Sequence, residues 1–182
     1  MATQFLQMMD NLNISDPKEM MSLAIKWVQK TFPNVESVTT ETLQCWMEEK
    51  PEELIILDIR SAAEFEVSHL PGAILIDPQS DTLQEFLQKQ LLPESKNKNI
   101  ICYCTVGYRA SRAAQSVNEF LSSEASQTRK TSLKVYNAEG GLVKWASERR
   151  LMVDKQEHPI HLVHPCNAEW AKLLEPELQA QI

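Results

Sequence analysis

The chain has 182 residues, 43% hydrophobic and 24% charged, the balance of one soluble globular domain with a modest extension. Its 18 Lys and Arg against 25 Asp and Glu leave a net charge of −7 without any basic block, so neither nucleic acid nor an anionic membrane surface is an expected partner. No apolar run approaches the roughly 18 residues that a membrane-spanning helix needs. The start, Met1-Ala2-Thr3-Gln4-Phe5, has no basic, apolar or Arg-rich leader pattern, and the expected location is cytoplasmic. Only four glycines occur, Gly72, Gly107, Gly140 and Gly141, too few and too scattered for a phosphate-binding or dinucleotide-binding glycine loop. Four cysteines, Cys45, Cys102, Cys104 and Cys166, read as free thiols of a reducing compartment.

In chain order, the first helix signal is Asp16-Pro17-Lys18-Glu19: a cap, a proline in the first turn and an acid three residues after the cap. Met20, Leu23, Ala24, Trp27 and Val28 then recur at helical spacing to Thr31, and Pro33 ends the pattern. Residues 1–34 therefore read as a helical extension. Val35–Val38 is a short strand candidate, and Thr39 or Thr40 caps a helix carrying Leu43, Trp46 and Met47. Trp27 and Trp46 read as core. Leu54–Ile59 is nearly all apolar, the mark of a strand buried on both faces of a parallel sheet. Ser61-x-x-Glu64 is a capping box, His69-Leu70-Pro71-Gly72 a turn, and Ala73–Ile76 a strand. Leu83, Phe86 and Leu87 mark a helix that ends before Pro93. Asn99–Tyr103 is a strand, followed by a strong amphipathic helix bearing Ala110, Ala113, Ala114, Val117, Phe120 and Leu121. Leu133–Tyr136 is the last strand, and Gly140-Gly141 turns the chain into a helix with Leu142, Val143 and Trp145. The alternation implies an open, mostly parallel α/β sheet. Beyond Asp154 the pattern stops, and the remaining segment has one helix candidate, near Asn167.

Ligands of open α/β sheets bind at the carboxyl ends of the strands. Cys104-Thr105-Val106-Gly107-Tyr108-Arg109 occupies such an end, between a strand and a helix. A cysteine there meets the free N–H groups and positive dipole end of the helix, which favour a thiolate, as do Arg109 and Arg112. Gly107 permits the backbone turn that gathers N–H groups into an anion nest. Cys104 is thus the candidate nucleophile. Cys102 has two readings, a resolving thiol or core, and its strand position favours core. Asp58, at the end of a buried strand, needs a partner such as loop amides or Arg60. Arg112 is either a donor-attracting cation or a plain exposed helix arginine. His158, His161, His164 and Cys166 cluster, but their spacing fits no standard metal site, and no metal is expected.

The loop Cys104–Arg109 with the Ala-Ser-Arg that follows resembles the active-site loop of rhodanese-type sulfurtransferases. Leu57-Asp58-Ile59-Arg60 … Glu64 … His69-Leu70-Pro71-Gly72-Ala73 is similar to an upstream motif of that family, and Asn137-Ala138-Glu139-Gly140-Gly141-Leu142-x-x-Trp145 to its closing motif. The resemblance implies a five-stranded parallel sheet between helices, in a domain over residues 35–154. The segment 155–182 carries Leu162, Val163, Trp170, Leu173 and Leu174 in a polar stretch, and this apolar content predicts a tail that docks, on the domain itself or alternatively on a partner chain. It implies that Cys104 carries sulfane sulfur as a persulfide, without a cofactor. The donor would be thiosulfate or another persulfide, and the acceptor cyanide in an assay or a thiol or protein cysteine in the cell. Thr105, Val106, Gly107, Tyr108 and Arg109 would bind the outer sulfur, and Asp58 and Arg60 would serve as scaffold. Two alternatives use the same fold: a Cys-dependent phosphatase or arsenate reductase, and a non-catalytic binding module. Phosphatases of this fold use Cys-x5-Arg, whereas position 110 here is Ala110 and the arginine comes one residue early. Binding modules of this type typically lack the cysteine.

Overall fold

The computed structural model describes residues 2–79, 81–90, 97–123 and 133–182. Five parallel strands, β1 (Ser37–Val38), β2 (Leu54–Asp58), β3 (Ile74–Leu75), β4 (Lys98–Tyr103) and β5 (Leu133–Ala138), form a sheet in the order β1-β5-β4-β2-β3. Two helices precede it, α1 (Ala2–Asn11) and α2 (Pro17–Thr31). The crossovers are α3 (Thr40–Glu49), α4 (Ala62–Val67), α5 (Thr82–Gln90) and α6 (Tyr108–Leu121), and α7 (Gly141–Ser147) follows β5. The chain then forms a small antiparallel pair, β6 (Met152–Val153) with β7 (Pro159–Ile160), a short α8 (Ala168–Ala171) and a 3-10 turn at Pro176–Leu178. No helix among the described residues is long and apolar enough to cross a membrane. The sheet is the five-stranded parallel one that the strand-helix alternation and the motifs implied.

Local signals explain most of these elements. Asp16, Thr39 and Ser61 accept the N3 amides of α2, α3 and α4, and Ser61 with Glu64 completes a reciprocal capping box. Pro93, expected to end α5, lies outside the described residues. Helix α1 carries no proline or capping-box signal in its sequence, which marks residues 1–34 as a helical extension without marking this helix itself. Its Phe5, Leu6 and Met9 are nevertheless buried, an apolar face that tertiary packing rather than end chemistry stabilises. The β6–β7 pair has no signal in the sequence, because two-residue strands are too short to show alternation.

Side chains alternate across β4. Ile100, Cys102 and, just beyond the strand, Cys104 join a core with α5 and α6, while Ile101 and Tyr103 join a second core on the opposite face. That second core gathers Phe5, Leu6, Met9, Met20, Met21 and Ala24 from the extension. It also gathers Val163, Trp170, Leu173, Leu174 and Leu178 from the C-terminal segment, with Leu142, Val143 and Trp145 of α7. Backbone bonds fasten the segment further: Val163 N–H donates to Leu178 O at 2.7 Å and Ala180 N–H to Val163 O at 2.9 Å. Both terminal segments are therefore parts of one hydrophobic core.

Removing residues 155–182 uncovers that core. Since each large apolar side chain contributes about 1.5–3 kcal/mol when buried, truncation after Asp154 is expected to lower the melting temperature by about 5 °C or more. A thermal melt followed by circular dichroism checks this. An unchanged melt would show that the segment's packing adds no net stability.

Candidate active site

Strand β4 lies between β2 and β5, with Asp58 opposite Tyr103 and Asn137 opposite Cys102. Cys104 is the next residue, at the carboxyl end of the central strand, and is only 1% exposed. Its Sγ accepts two backbone hydrogen bonds, from Gly107 N–H at 3.1 Å and from Ala110 N–H at 3.4 Å. The loop can curl this tightly because Gly107 has φ 114°, a conformation that suits only glycine. A Cβ there would also sit 3.2 Å from Asn137 Nδ2.

The nest is held from three sides. On the first, α7 abuts the loop: Leu142 N–H donates to Cys104 O at 2.9 Å and Val143 N–H to Thr105 O at 3.1 Å. Planar trans peptides then turn the N–H groups of Thr105 and Val106 away from α7. Only glycine allows this approach, since a Cβ on Gly141 would lie 2.5 Å from both carbonyl oxygens.

On the second side stands Glu64, buried in α4. Arg109 forks onto its carboxylate, Nη2 to Oε1 at 2.9 Å and Nη1 to Oε2 at 3.1 Å. Thr105 Oγ1 donates to Oε1 at 2.9 Å, and Ser61 N–H to Oε2 at 3.0 Å. Burial pushes the Glu64 pKa up, but the hydrogen bond and charge of Arg109, with Ser61 and Thr105, outweigh it and bring the value down to about 2. Arg109 is thereby a loop tie whose charge is matched by Glu64. On the third side, Tyr108 stacks on Trp27 of α2 with ring centroids 5.2 Å apart and an interplanar angle of 16°, and meets the edge of Phe32 at 5.1 Å. Arg112 is exposed, and its guanidinium stands 5.6 Å from the Tyr108 ring.

Below the loop, Asp58 and Arg60 form a fully buried ion pair, Nη2 to Oδ2 at 2.6 Å and Nε to Oδ1 at 2.9 Å. Arg60 also donates to Ser68 O at 2.7 Å, Tyr103 Oη donates to Asp58 Oδ2 at 2.5 Å, and Leu70 N–H donates back to Tyr103 Oη at 3.1 Å. Burial disfavours the Arg60 cation, but Asp58 more than compensates and its pKa is raised. Burial, then the Cys104 charge, pushes the Cys102 thiol up to about 12, and its side chain is wholly inside the core. His164 Nδ1 accepts the Cys166 N–H at 3.0 Å, while His158 and His161 are exposed. Among the described residues no three His, Cys, Asp or Glu side chains are grouped to hold a metal. Sequence reasoning missed three features of the site: the Ala110 amide, the Glu64 anchor and the Trp27 stack. A backbone donor has no side-chain signature. The spacing Ser61-x-x-Glu64 already placed the carboxylate at a helix start, but nothing local linked it to Arg109.

The Glu64 carboxylate has a folded pKa below its unfolded value, so its contribution, on the order of 3 kcal/mol, is present above pH 4.5 and lost as pH falls toward 2. Glu64→Gln is expected to flatten stability against pH in that window and to destabilise the protein at neutral pH. Chemical denaturation at a series of pH values measures both; parallel curves for the two proteins would remove Glu64 as the anchor.

Residues 39–148 match the model of the rhodanese-like domain. A tRNA uridine(34) hydroxylase from Photorhabdus laumondii is 33% identical over 106 residues, 57% of this chain and 26% of that protein. One from Buchnera aphidicola is 41% identical over 63 residues, 34% of this chain and 20% of that protein. The chain thus spans about a quarter or less of these relatives' length. Among solved structures, a thiosulfate sulfurtransferase from Pseudomonas aeruginosa superposes with TM-score 0.56 at 17% identity, over 88% of this chain and 27% of that one. A Saccharomyces cerevisiae homolog of single-domain rhodanese and of the Cdc25 phosphatase catalytic domain gives TM-score 0.51 at 20% identity, over 64% and 82%. These two likenesses concern the fold. With a nest of amides on Cys104 at the end of the central strand and a family match over most of the sheet, the chain belongs to the rhodanese-like domain family.

Proposed function

We propose that this protein is a sulfurtransferase in which Cys104 carries sulfane sulfur as a persulfide. The reading rests on one observation above others: the amides of Gly107 and Ala110 converge on Cys104 Sγ in a loop whose arginine follows the cysteine by five positions. The Cys104 thiolate attacks the outer sulfur of a donor such as thiosulfate. The donor's S–S bond breaks, sulfite leaves with its electron pair, and the sulfur stays on Cys104. Negative charge then resides on the outer sulfur, where fixed N–H dipoles stabilise it without having to reorganise. The amides of Thr105 and Val106, oriented by the grip of α7 on the preceding carbonyls, extend that set of donors. A thiophilic acceptor takes the outer sulfur in a second displacement and Cys104 leaves as thiolate, a ping-pong sequence that needs no cofactor.

Two features separate this reading from a phosphatase. The residue where Cys-x5-Arg would put its arginine is Ala110, 0% exposed, and Arg109 is engaged with Glu64 and Thr105. The nest therefore lacks both the length and the free guanidinium to enclose a phosphate monoester. The tRNA in the relatives' name belongs to proteins of which this chain matches 26% in the case of Photorhabdus, and the net charge of −7 here attracts a polyanion poorly. We place the acceptor among small thiols and protein cysteines.

Intact mass after thiosulfate treatment should rise by one sulfur atom, and cyanide should remove it as thiocyanate. Cys104→Ser is expected to abolish the adduct and to lower thiocyanate formation by several orders of magnitude; an adduct that survives the substitution, or maps to Cys102, overturns the assignment. Small aryl phosphates should be turned over at no measurable Cys104-dependent rate, and efficient release of phosphate would restore the phosphatase reading.

A further inference from the structure

Helices α2, α3 and α4 start on side-chain caps, Asp16, Thr39 and Ser61, whereas α6 starts at Gly107, which has no side chain to offer. The amides at this start turn to Cys104 instead: Gly107 N–H and Ala110 N–H both donate to its Sγ. A glycine allows that turn but does little to keep it, since its backbone is free to take many other conformations. The start of α6 is gripped at its first two residues. Tyr108 and Arg109 leave the helix about 100° apart around its axis, Arg109 toward Glu64 of α4 and Tyr108 toward α2.

The grip on Tyr108 is aromatic. Trp27 stacks on its ring at 5.2 Å and 16°, and Phe32 meets it edge-on at 5.1 Å and 70°, separations at which ring pairs attract. Trp27 is itself backed by Phe5, 1% exposed, with centroids 5.2 Å apart and an interplanar angle of 30°. Cys104 and Ala110 belong to the core on the α6 side of the sheet, while Trp27 packs on the core of the opposite side. Tyr108 is the residue through which the extension reaches across to the nest. Trp27 and Phe32 also precede residue 39, where the match to the rhodanese-like domain begins.

We propose that Trp27 is a positioning residue for the nucleophile: by stacking on Tyr108 it holds the first turn of α6 so that the amides of Gly107 and Ala110 stay on the Cys104 sulfur. It acts through Tyr108 and not on the sulfur. The reactivity of the family domain in this chain therefore depends on a helix outside the residues that define the family. The effect on the rate of sulfur transfer rests on the sulfurtransferase reading given above; the effect on the two amides does not.

Amide hydrogen exchange of the full-length protein, followed by NMR before any sulfur is loaded, tests the positioning directly. Trp27→Leu keeps apolar bulk and removes the flat ring, whereas Trp27→Phe keeps a ring. In Trp27→Leu, exchange at Gly107 and Ala110, taken relative to the amides of β4, should rise about threefold to tenfold, the change that one aromatic pair can supply. Trp27→Phe should restore most of the protection. Loading of Cys104 by thiosulfate, followed by intact mass, should slow in Trp27→Leu by a similar factor. Tyr108→Leu should match Trp27→Leu, and the double variant should be no worse than either, since both remove the same contact. Leu174→Ala, which opens the core that Trp27 packs on, should lower the melting temperature and leave the exchange ratio and the loading rate unchanged. An unchanged ratio in Trp27→Leu, additive effects in the double variant, or an equal rise in Leu174→Ala each overturns the positioning role. Failure of the unsubstituted protein to load Cys104 overturns the sulfurtransferase reading instead, and the exchange ratio still decides whether Trp27 holds the nest.

Discussion

A loop that turns its amides toward one sulfur atom has to be held in that shape, and in this protein Glu64 is the side chain that holds it. The carboxylate is buried, yet it receives Arg109, Thr105 and Ser61 at once. It therefore joins the start of α4, the second residue of the loop and the last. A buried carboxylate without partners would be costly, and each of these donors offsets part of that cost. The same bonds tie the loop to α4 at two of its residues, Thr105 and Arg109. Arg109, which the sequence marks as a thiolate-favouring cation of the loop, is held by Glu64 and Thr105.

The second hold comes from α7, and it acts through the backbone. Once Leu142 and Val143 take the carbonyls of Cys104 and Thr105, peptide planarity decides where the following amides point. Gly141 is required for contact rather than for flexibility alone, as its neighbours leave no room for a Cβ. The closing Gly-Gly and the loop cysteine, 36 residues apart in the chain, are two halves of one device. Under both lies the Asp58–Arg60–Tyr103 network, which ties the ends of β2 and β4 to the turn at Leu70. Removing one member would leave a buried charge or hydroxyl unpaired, the kind of loss that costs about 3–5 kcal/mol for an ion pair.

The terminal segments enlarge the site beyond the sheet. The extension supplies Trp27 and Phe32 to Tyr108, and the C-terminal segment supplies Trp170 to Trp27. Their apolar faces also complete the core on the Tyr103 side of the sheet. Packing and site access are consequently coupled: whatever loosens these segments also alters what surrounds the nucleophile.

The sequence by itself determined the strands, most helix starts, the parallel α/β class and the place of Cys104. Each of these is written in short-range terms: the apolar run Leu54–Leu57, the caps Asp16, Thr39 and Ser61, and the order cysteine, glycine, arginine at a strand-to-helix junction. Helix α1 and the β6–β7 pair were not legible, because their stability comes from burial against distant elements and not from end signals or periodicity. The same holds for the partners of the site residues. That Arg109 would find Glu64 and that Ala110 would turn its amide to Cys104 depended on how α4 and α7 pack on the sheet. Long-range contacts leave no periodic trace in a chain, so only the tertiary structure decided them.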